Sequence, residues 1–299
     1  MAPYKGYKKD VNPGISNGFA TGAFRFGHSL IRQTFDFFSP SFEPIGSPIP
    51  IVQMFFNNSL IQEKNADGFL YGAIGNVSQE VDNKLASGLI NQLFERPQSI
   101  GLDLGALNIQ RGRDHGLPGY GAFIKQCVEF GQYYPESARN PTTFADLKEV
   151  ITKQNLRRVL RRLYSGKPQN VDLWPAGLAE TEITGTILGP TFTCLFRDQF
   201  QRLRDGDRFF YLNYDVFTLK QLIAIRHTTL ASIMCANLND VVSVPKDVFN
   251  SKSRVRSCSN IPELDLRPWR GKYKIYTVFS WILTMVKLGK FSYGSAHML

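Results

Sequence analysis

One stretch of the 299-residue sequence stands out, and it reads Leu107-Asn108-Ile109-Gln110-Arg111-Gly112-Arg113-Asp114-His115-Gly116-Leu117-Pro118-Gly119-Tyr120. It combines closely spaced charged side chains with three glycines and a proline, the residue types that turns favour. From Gly112 onward the stretch predicts an irregular turn that leads into a helix from about Tyr120 to Phe130. We interpret Arg113, Asp114 and His115 as a structural network that holds this turn.

A second block, nearer the N-terminus, reads Phe24-Arg25-Phe26-Gly27-His28-Ser29-Leu30-Ile31. Ser16 and Asn17 can cap a helix that runs to about Ile31 and carries His28 among aromatic residues. Neutral imidazole is a good ligand for iron. A lone histidine on an apolar helix is nevertheless more often a satisfied core residue, so the local pattern alone leaves the role of His28 open.

Taken together and in this order, the two blocks resemble the signatures of the animal haem peroxidase superfamily. The resemblance covers about residues 5–270 and implies a mainly α, haem-peroxidase-like helical domain. It implies that His28 is the proximal axial ligand of the iron of haem b, with the small Gly27 letting the flat macrocycle approach. It also implies that the amide oxygen of Asn108 accepts the other ring N–H of His28, and that Arg111 pairs with a haem propionate.

The resemblance further implies that parts of the family's site are missing. Four features of the family have no match in this sequence. They are the distal histidine, its catalytic arginine, the acidic residues that often link covalently to the haem, and the calcium loop. The distal residues and the calcium loop lie upstream of the proximal helix, whereas 27 residues precede His28. The remaining histidines, His115, His227 and His297, lack the context of a distal base. We therefore expect a domain over residues 1–270 that is incomplete on its N-terminal, distal side, and an atypical apolar tail over residues 271–299.

The function that the resemblance implies is that of a peroxidase, with hydrogen peroxide and a small reducing molecule as substrates. Two alternatives stay open, namely a non-catalytic adhesion or binding protein and an inactive truncated product that does not fold alone. The presence of His28, Asn108 and Arg111 together favours the enzyme.

The composition of the chain limits the classes of partner that it is expected to bind. The chain is 43% hydrophobic and 20% charged, which is typical of a globular protein with a buried core. Its net charge is +10, but the one basic cluster, residues 157–162, alternates with apolar positions like the solvated face of a helix. Since no nucleic-acid motif accompanies it, we expect no nucleic-acid partner. The apolar run over residues 275–286 is shorter than the roughly 20 residues of a transmembrane helix, so we expect no membrane span.

The four cysteines, which are Cys127, Cys194, Cys235 and Cys258, include no CxxC pair. Their even number and wide spacing fit two disulfides in an oxidising compartment, although four free thiols in a cytosolic protein would also fit. The resemblance implies the pairs Cys127–Cys194 and Cys235–Cys258. Sequons at Asn57 and Asn76 add two candidate glycosylation sites. The chain is therefore expected to be extracellular, although its first ten residues do not form a signal peptide.

Apolar periodicity and capping residues predict the remaining helices. One helix starts at Ser78, carries apolar residues every four positions from Val81 to Leu93 and stops before Pro97. Others start at Thr143 and end near Gly166, span about Pro190 to Leu203, and run from Thr218 through Ala236. The Pro-rich residues 40–50 predict a loop, residues 204–208 predict a sharp polar turn, and a short strand is expected near Val241–Ser243.

Overall fold

The structure is a computed structural model that describes residues 3–64 and 66–270. The described part is mainly helical, as the sequence predicts. Its α-helices are α1 (Asn17–Thr21), α2 (Ser59–Lys64), α3 (Ala66–Gly75), α4 (Leu104–Asp114), α5 (Tyr120–Glu129), α6 (Gln154–Leu163), α7 (Leu173–Ala179), α8 (Pro190–Gly206), α9 (Leu219–His227) and α10 (Leu230–Asn237). Short 3₁₀ helices occupy Ala23–Leu30, Ile51–Gln53, Ser87–Leu89, Glu136–Ala138, Pro168–Asn170, Cys258–Asn260 and Arg267–Trp269.

Two small antiparallel sheets complete the described secondary structure. Strand β1 (Thr34–Phe35) pairs with β2 (Ile49–Pro50), which closes the Pro-rich loop. Strand β3 (Ser243–Pro245) pairs with β4 (Val255–Ser257), with Val244 opposite Arg256. The strand expected near residues 241–243 therefore exists but begins at Ser243.

The first predicted helix is split in two. Ser16 caps α1 by accepting a hydrogen bond from the backbone N–H of Phe19. A side chain at Gly22 would place its Cβ 2.4 Å from Cδ2 of Leu173, so the chain turns there against α7. It continues as the 3₁₀ helix Ala23–Leu30, which carries His28. Eight residues is long for a 3₁₀ helix.

The signature stretch is more helical than its sequence suggests. Asp103 caps α4, accepting from the N–H of Ala106 at 2.9 Å, and the helix continues through Gly112 to Asp114. The turn predicted from Gly112 therefore begins only at His115. Gly116 takes the left-handed φ of +65° that this turn needs. Helix α5 then begins at Tyr120, as predicted.

The prediction of a helix from Ser78 to Leu93 is wrong. This region holds only the 3₁₀ turn Ser87–Leu89. Leu93 and Leu102 exchange backbone hydrogen bonds at 3.1 and 2.9 Å. Leu89 and Leu93 are buried against Ile51. Their spacing thus reflects burial, but backbone pairing between Leu93 and Leu102 takes the place of helical hydrogen bonds.

The helix predicted from Thr143 begins later. Asp146 does accept hydrogen bonds from the backbone of Thr142 and Thr143 at 2.9 and 2.8 Å, but these close a turn. Helix α6 starts at Gln154. The Thr218 capping box with Gln221 is confirmed, although a second capping box at Thr229 divides the predicted helix into α9 and α10.

Helix α8 extends three residues beyond the predicted end at Leu203, to Gly206. The polar turn expected at residues 204–208 therefore starts at Asp207. Asp205 is buried and contacts the side chains of Arg204 at 2.7 Å and Lys8 at 3.0 Å. Within this segment Arg204 and Asp205 thus satisfy each other's charge, and Lys8 is a second partner of Asp205.

The core has two main parts that share α5, α7 and α8. One contains Tyr120, Ile124, Leu147, Leu160 and Ala176. The other contains Phe19, Ala23, Leu173, Trp174 and Phe192, and so packs α1 and the His28-bearing 3₁₀ helix onto α7 and α8. The His28 segment is therefore held by large buried side chains.

Both predicted disulfide pairs are confirmed. Cys127–Cys194 joins α5 to α8, and Cys235–Cys258 joins α10 to the 3₁₀ helix Cys258–Asn260. Among the described residues, no helix combines the length and the apolar character that crossing a membrane would require. The predicted tail, residues 271–299, lies outside the described residues, as does His297.

Candidate functional site

The structure brings His28 and Asn108 together across 80 positions of sequence. His28 lies on the 3₁₀ helix Ala23–Leu30 and Asn108 on α4. The Nδ2 of Asn108 is 2.9 Å from the Nδ1 of His28. The side chain of Asn108 is fully buried, whereas His28 is half-buried. Nδ1 of His28 is therefore hydrogen-bonded to a buried partner, the side chain of Asn108.

Arg25 completes a line of three side chains. Its Nη1 donates to the Oδ1 of Asn108 at 3.0 Å. The backbone oxygen of Arg25 accepts from the indole N–H of Trp174 at 3.1 Å, which anchors the 3₁₀ helix to α7. Sequence analysis did not single out Arg25 or Trp174. The position of Arg25, one 3₁₀ turn before His28, is the signal that could have found it.

The amide of Asn108 has the orientation opposite to the one that the resemblance implies. A guanidinium has no acceptor, so Arg25 takes the amide oxygen and leaves Nδ2 facing His28. Nδ1 of His28 then accepts the hydrogen bond. With the amide in this orientation, a neutral ring would carry its proton on Nε2, because the donor and acceptor roles of the ring follow from its tautomer.

Electrostatics keep His28 neutral. Burial lowers the pKa of His28 most, the positive charge of Arg25 lowers it further, and the bond to Asn108 raises it. Burial and the positive charge of Arg111 lower the pKa of Arg25. Arg111 therefore acts electrostatically on the same group of residues. A neutral imidazole is the form that binds a metal ion.

Arg111 and Arg113 lie two positions apart on α4 and hold different carboxylates. Arg111 contacts Asp114 through Nη1 at 2.7 Å. Arg113 donates through Nε and Nη2 to both oxygens of Asp172, at 3.0 and 2.8 Å. His115, predicted to belong to this network, is exposed, and its backbone N–H donates to the oxygen of Arg111 at 3.1 Å.

The backbone beside His28 is open at Gly27. A Cβ on Gly27 would meet no atom within 4 Å, and the side chain of Phe24 is 59% exposed. Phe24 packs on Phe19 with ring centroids 5.2 Å apart. A cavity of about 950 Å³ lies between residues 7–13 and the end of α8. Its lining includes none of His28, Asn108 and Arg111. The chemistry of the site therefore does not coincide with that cavity.

The residues present fit haem better than a bare metal ion. In residues 3–64 and 66–270, no three His, Cys, Asp or Glu side chains are grouped so that they could hold a metal ion. A porphyrin supplies four ligands to its iron by itself, so one histidine is enough on the protein side. A histidine whose neutral form is favoured and an exposed arginine, Arg111, are groups that the iron and a carboxylate of haem would need.

The sequence comparisons agree with this geometry. The family model for animal haem peroxidase matches residues 1–249. This chain belongs to the animal haem peroxidase family. Among curated family members, it is 40% identical over 280 residues to the peroxidasin homolog of Mus musculus, covering 90% of this chain and 18% of that protein. It is 38% identical over 281 residues to the eosinophil peroxidase of the same species, covering 91% and 37% respectively.

Solved structures place the chain in the same peroxidase fold. Peroxidase A from Dictyostelium discoideum matches with a TM-score of 0.69 and 29% identity, covering 83% of this chain and 45% of that one. A fatty acid alpha-dioxygenase from Arabidopsis thaliana matches with a TM-score of 0.58 and 17% identity, covering 87% and 40%, which shows a shared fold only. The chain thus spans less than half the length of these peroxidase relatives.

The two sequons differ in their surroundings. Nδ2 of Asn76 donates to Oδ2 of Asp36 at 2.9 Å and to the backbone oxygen of Gly72 at 3.0 Å. Nδ2 of Asn57 donates to the backbone oxygen of Gln53 at 3.1 Å, and its Oδ1 accepts from Ser59. In the folded chain, Nδ2 of Asn76 thus donates two hydrogen bonds, whereas Nδ2 of Asn57 donates one.

Proposed function

We propose that this chain forms the proximal haem site of a peroxidase, in which His28 is the axial ligand of the iron of haem b. The observation that carries the proposal is the 2.9 Å contact between half-buried His28 and fully buried Asn108. A metal-bound histidine needs a partner that fixes its second nitrogen. Membership of the animal haem peroxidase family supplies the identity of the metal group.

Four residues have distinct tasks in this proposal. His28 would hold the iron through Nε2, and its neutral ring would then carry its proton on Nδ1. Oδ1 of Asn108 would accept that N–H while it also accepts from Arg25, which needs the amide to turn from its present orientation. Arg111 binds a propionate of the haem through its guanidinium. Bound haem would supply the redox chemistry, with hydrogen peroxide as oxidant and a small molecule as reductant.

The distal residues, the calcium ion and any covalent attachment of the haem belong to the proposal for the whole protein. The curated relatives are longer than the matched region, which is 18% of one and 37% of the other. Peroxide turnover and its reducing substrate are therefore proposed for the complete enzyme, and the proximal site is assigned to this chain.

We also propose an extracellular location, because two disulfides are stable in an oxidising compartment. Glycosylation is proposed at Asn57 and Asn76. The contacts of Asn76 with Asp36 and Gly72 favour Asn57 as the more fully modified site.

Haem titration of the full 299-residue chain tests the proposal. The wild-type chain should bind ferric haem and give the absorption spectrum of a five-coordinate histidine-bound iron. His28→Ala should abolish that spectrum because the axial nitrogen is lost. His115→Ala is the matched control, since His115 is exposed at the end of α4 and should leave the spectrum unchanged. An unaltered spectrum in His28→Ala would remove His28 as the ligand.

A further inference from the structure

Arg113 is firmly paired with the carboxylate of Asp172. It makes a two-point contact with Asp172, whose side chain is only 18% exposed. The hydroxyl of Tyr164 donates to the same carboxylate at 2.7 Å. This group ties α4 to α6 and to the start of α7, so releasing Asp172 would disturb three elements. Bidentate pairs of this kind are the strong ones.

Arg111 is held loosely by comparison. Its described carboxylate contact is a single one, from Nη1 to Oδ2 of Asp114 at 2.7 Å. The side chains are 51% and 55% exposed, respectively. An exposed ion pair contributes little to stability, because water solvates both charges almost equally well. The pair can therefore open at low cost.

The position of Asp114 does not stabilise helix α4. It is the last residue of α4, where the carbonyl end of the helix dipole disfavours a negative charge. Its favourable interaction is the contact with Arg111. The charge of Arg111 lowers the pKa of Arg25, which donates a hydrogen bond to Asn108 beside His28. With Arg25 and Arg111 positive, Asp114 negative and His28 neutral, the local charge is positive and suits an anionic ligand.

We propose that Asp114 is an exchangeable carboxylate that occupies Arg111 until a carboxylate of the ligand displaces it. This inference rests on the proposed function, in which that ligand is haem and the displacing group is a propionate. Asp114 keeps the guanidinium paired before binding and competes with the propionate during binding. It thereby sets the affinity of the site without contacting the iron.

Asp114→Asn tests the competition directly, by haem titration of the full chain at constant ionic strength. Asparagine keeps the size of the side chain but removes its charge, so the variant should bind haem about five-fold more tightly than wild type. That ratio corresponds to about 1 kcal/mol, the upper range for an exposed ion pair. The gain should disappear in the Arg111→Ala background, where there is no guanidinium to compete for.

Haem dimethyl ester is the matched ligand, because its carboxylates carry no charge. Wild type and Asp114→Asn should bind the ester equally well. Glu136→Gln is the matched protein control, since Glu136 forms an exposed i,i+3 pair with Arg139 and its loss should not tighten the binding of haem. Thermal unfolding should be nearly the same for wild type and Asp114→Asn, and Asp114→Ser gives a second variant should the first fail to fold.

The outcomes separate the two proposals. Equal haem affinities of wild type and Asp114→Asn, or an equal gain with the ester, would overturn the exchange of carboxylates while leaving the haem site intact. No haem binding by wild type or any variant would overturn the proposed function, and this inference with it.

Discussion

The side chain of Asn108 satisfies two groups at once from a fully buried position. Its oxygen accepts from Arg25 and its nitrogen faces Nδ1 of His28. A buried polar group that loses its partner costs roughly 1–3 kcal/mol. The identity of residue 108 therefore controls both the stability of the segment and the proton state of His28.

Asn108→Asp should raise the pKa of His28. In the wild-type chain burial and Arg25 hold this pKa below its ordinary value, and a carboxylate in place of the amide would favour the charged imidazolium. The measurement is a titration of the His28 ring protons by NMR in the haem-free chain. His227, exposed at the end of α9, serves as the internal control. A pKa of His28 that stays the same or falls would contradict the assigned contact.

How far the sequence predicts this site can be judged residue by residue. Resemblance alone paired His28 with Asn108, and the structure brings them into contact. It could not predict which atom of the amide faces the ring, because that depends on where the guanidinium of Arg25 lies in space. Local pattern treats Arg25 as one more residue of a helical block. Its role appears only when α4 is packed against the 3₁₀ helix.

Three helices meet at the buried carboxylate of Glu180. The group follows α7 and accepts hydrogen bonds from the hydroxyl of Tyr120 on α5 at 2.5 Å and from the backbone N–H of Thr191 on α8 at 2.8 Å. The Oγ1 of Thr191 donates to it as well, at 2.5 Å. Burial raises the pKa of Glu180 to about 7, against the lowering effect of these bonds. Desolvation therefore outweighs hydrogen bonding here.

Glu180 should make the folded chain less stable as the pH rises from about 4.5 to about 7. Its pKa is higher in the folded state than in the unfolded state, so the stabilisation is complete below 4.5 and is lost as the pH passes through 7. The upper bound on this loss is roughly 3 kcal/mol, at 1.36 kcal/mol for each pKa unit. Urea unfolding at pH 5 and pH 8 measures it.

Glu180→Gln should flatten this pH dependence, because the amide does not titrate. Glu136→Gln is the control, since the side chain of Glu136 is 86% exposed and its removal should leave the pH profile as in wild type. A profile that is just as steep in Glu180→Gln would show that another group carries the titration.

Elements were predicted best where capping and periodicity agreed with burial. Helix α5, the Ser16 cap and the Thr218 capping box follow from local residues and are present. The helix predicted from Ser78 failed because Leu93 pairs with Leu102, and a Cβ on Gly101 would lie 2.1 Å from the backbone oxygen of Asn91. These backbone contacts join residues nine and ten positions apart, and apolar periodicity, which reports side-chain burial, does not reveal them.

At the scale of the whole molecule, the two disulfides differ in what they join. Cys127–Cys194 closes 67 residues and lies inside the main core, with both residues almost fully buried. Cys235–Cys258 closes 23 residues and packs, half-buried, on a smaller cluster that includes Met234 and Val244. Resemblance predicted the pairing, whereas their unequal burial required the three-dimensional structure.

The variant Cys127→Ala with Cys194→Ala should therefore lose more stability than Cys235→Ala with Cys258→Ala. Loop-closure entropy gives about 4.4 kcal/mol for the longer loop and about 3.4 kcal/mol for the shorter one. The buried pair adds the cost of a cavity between α5 and α8. Urea unfolding of both variants without reductant measures the order. Equal losses, or the reverse order, would mean that the smaller cluster around α10 limits the stability of the chain, and that the main core retains its packing without its covalent link.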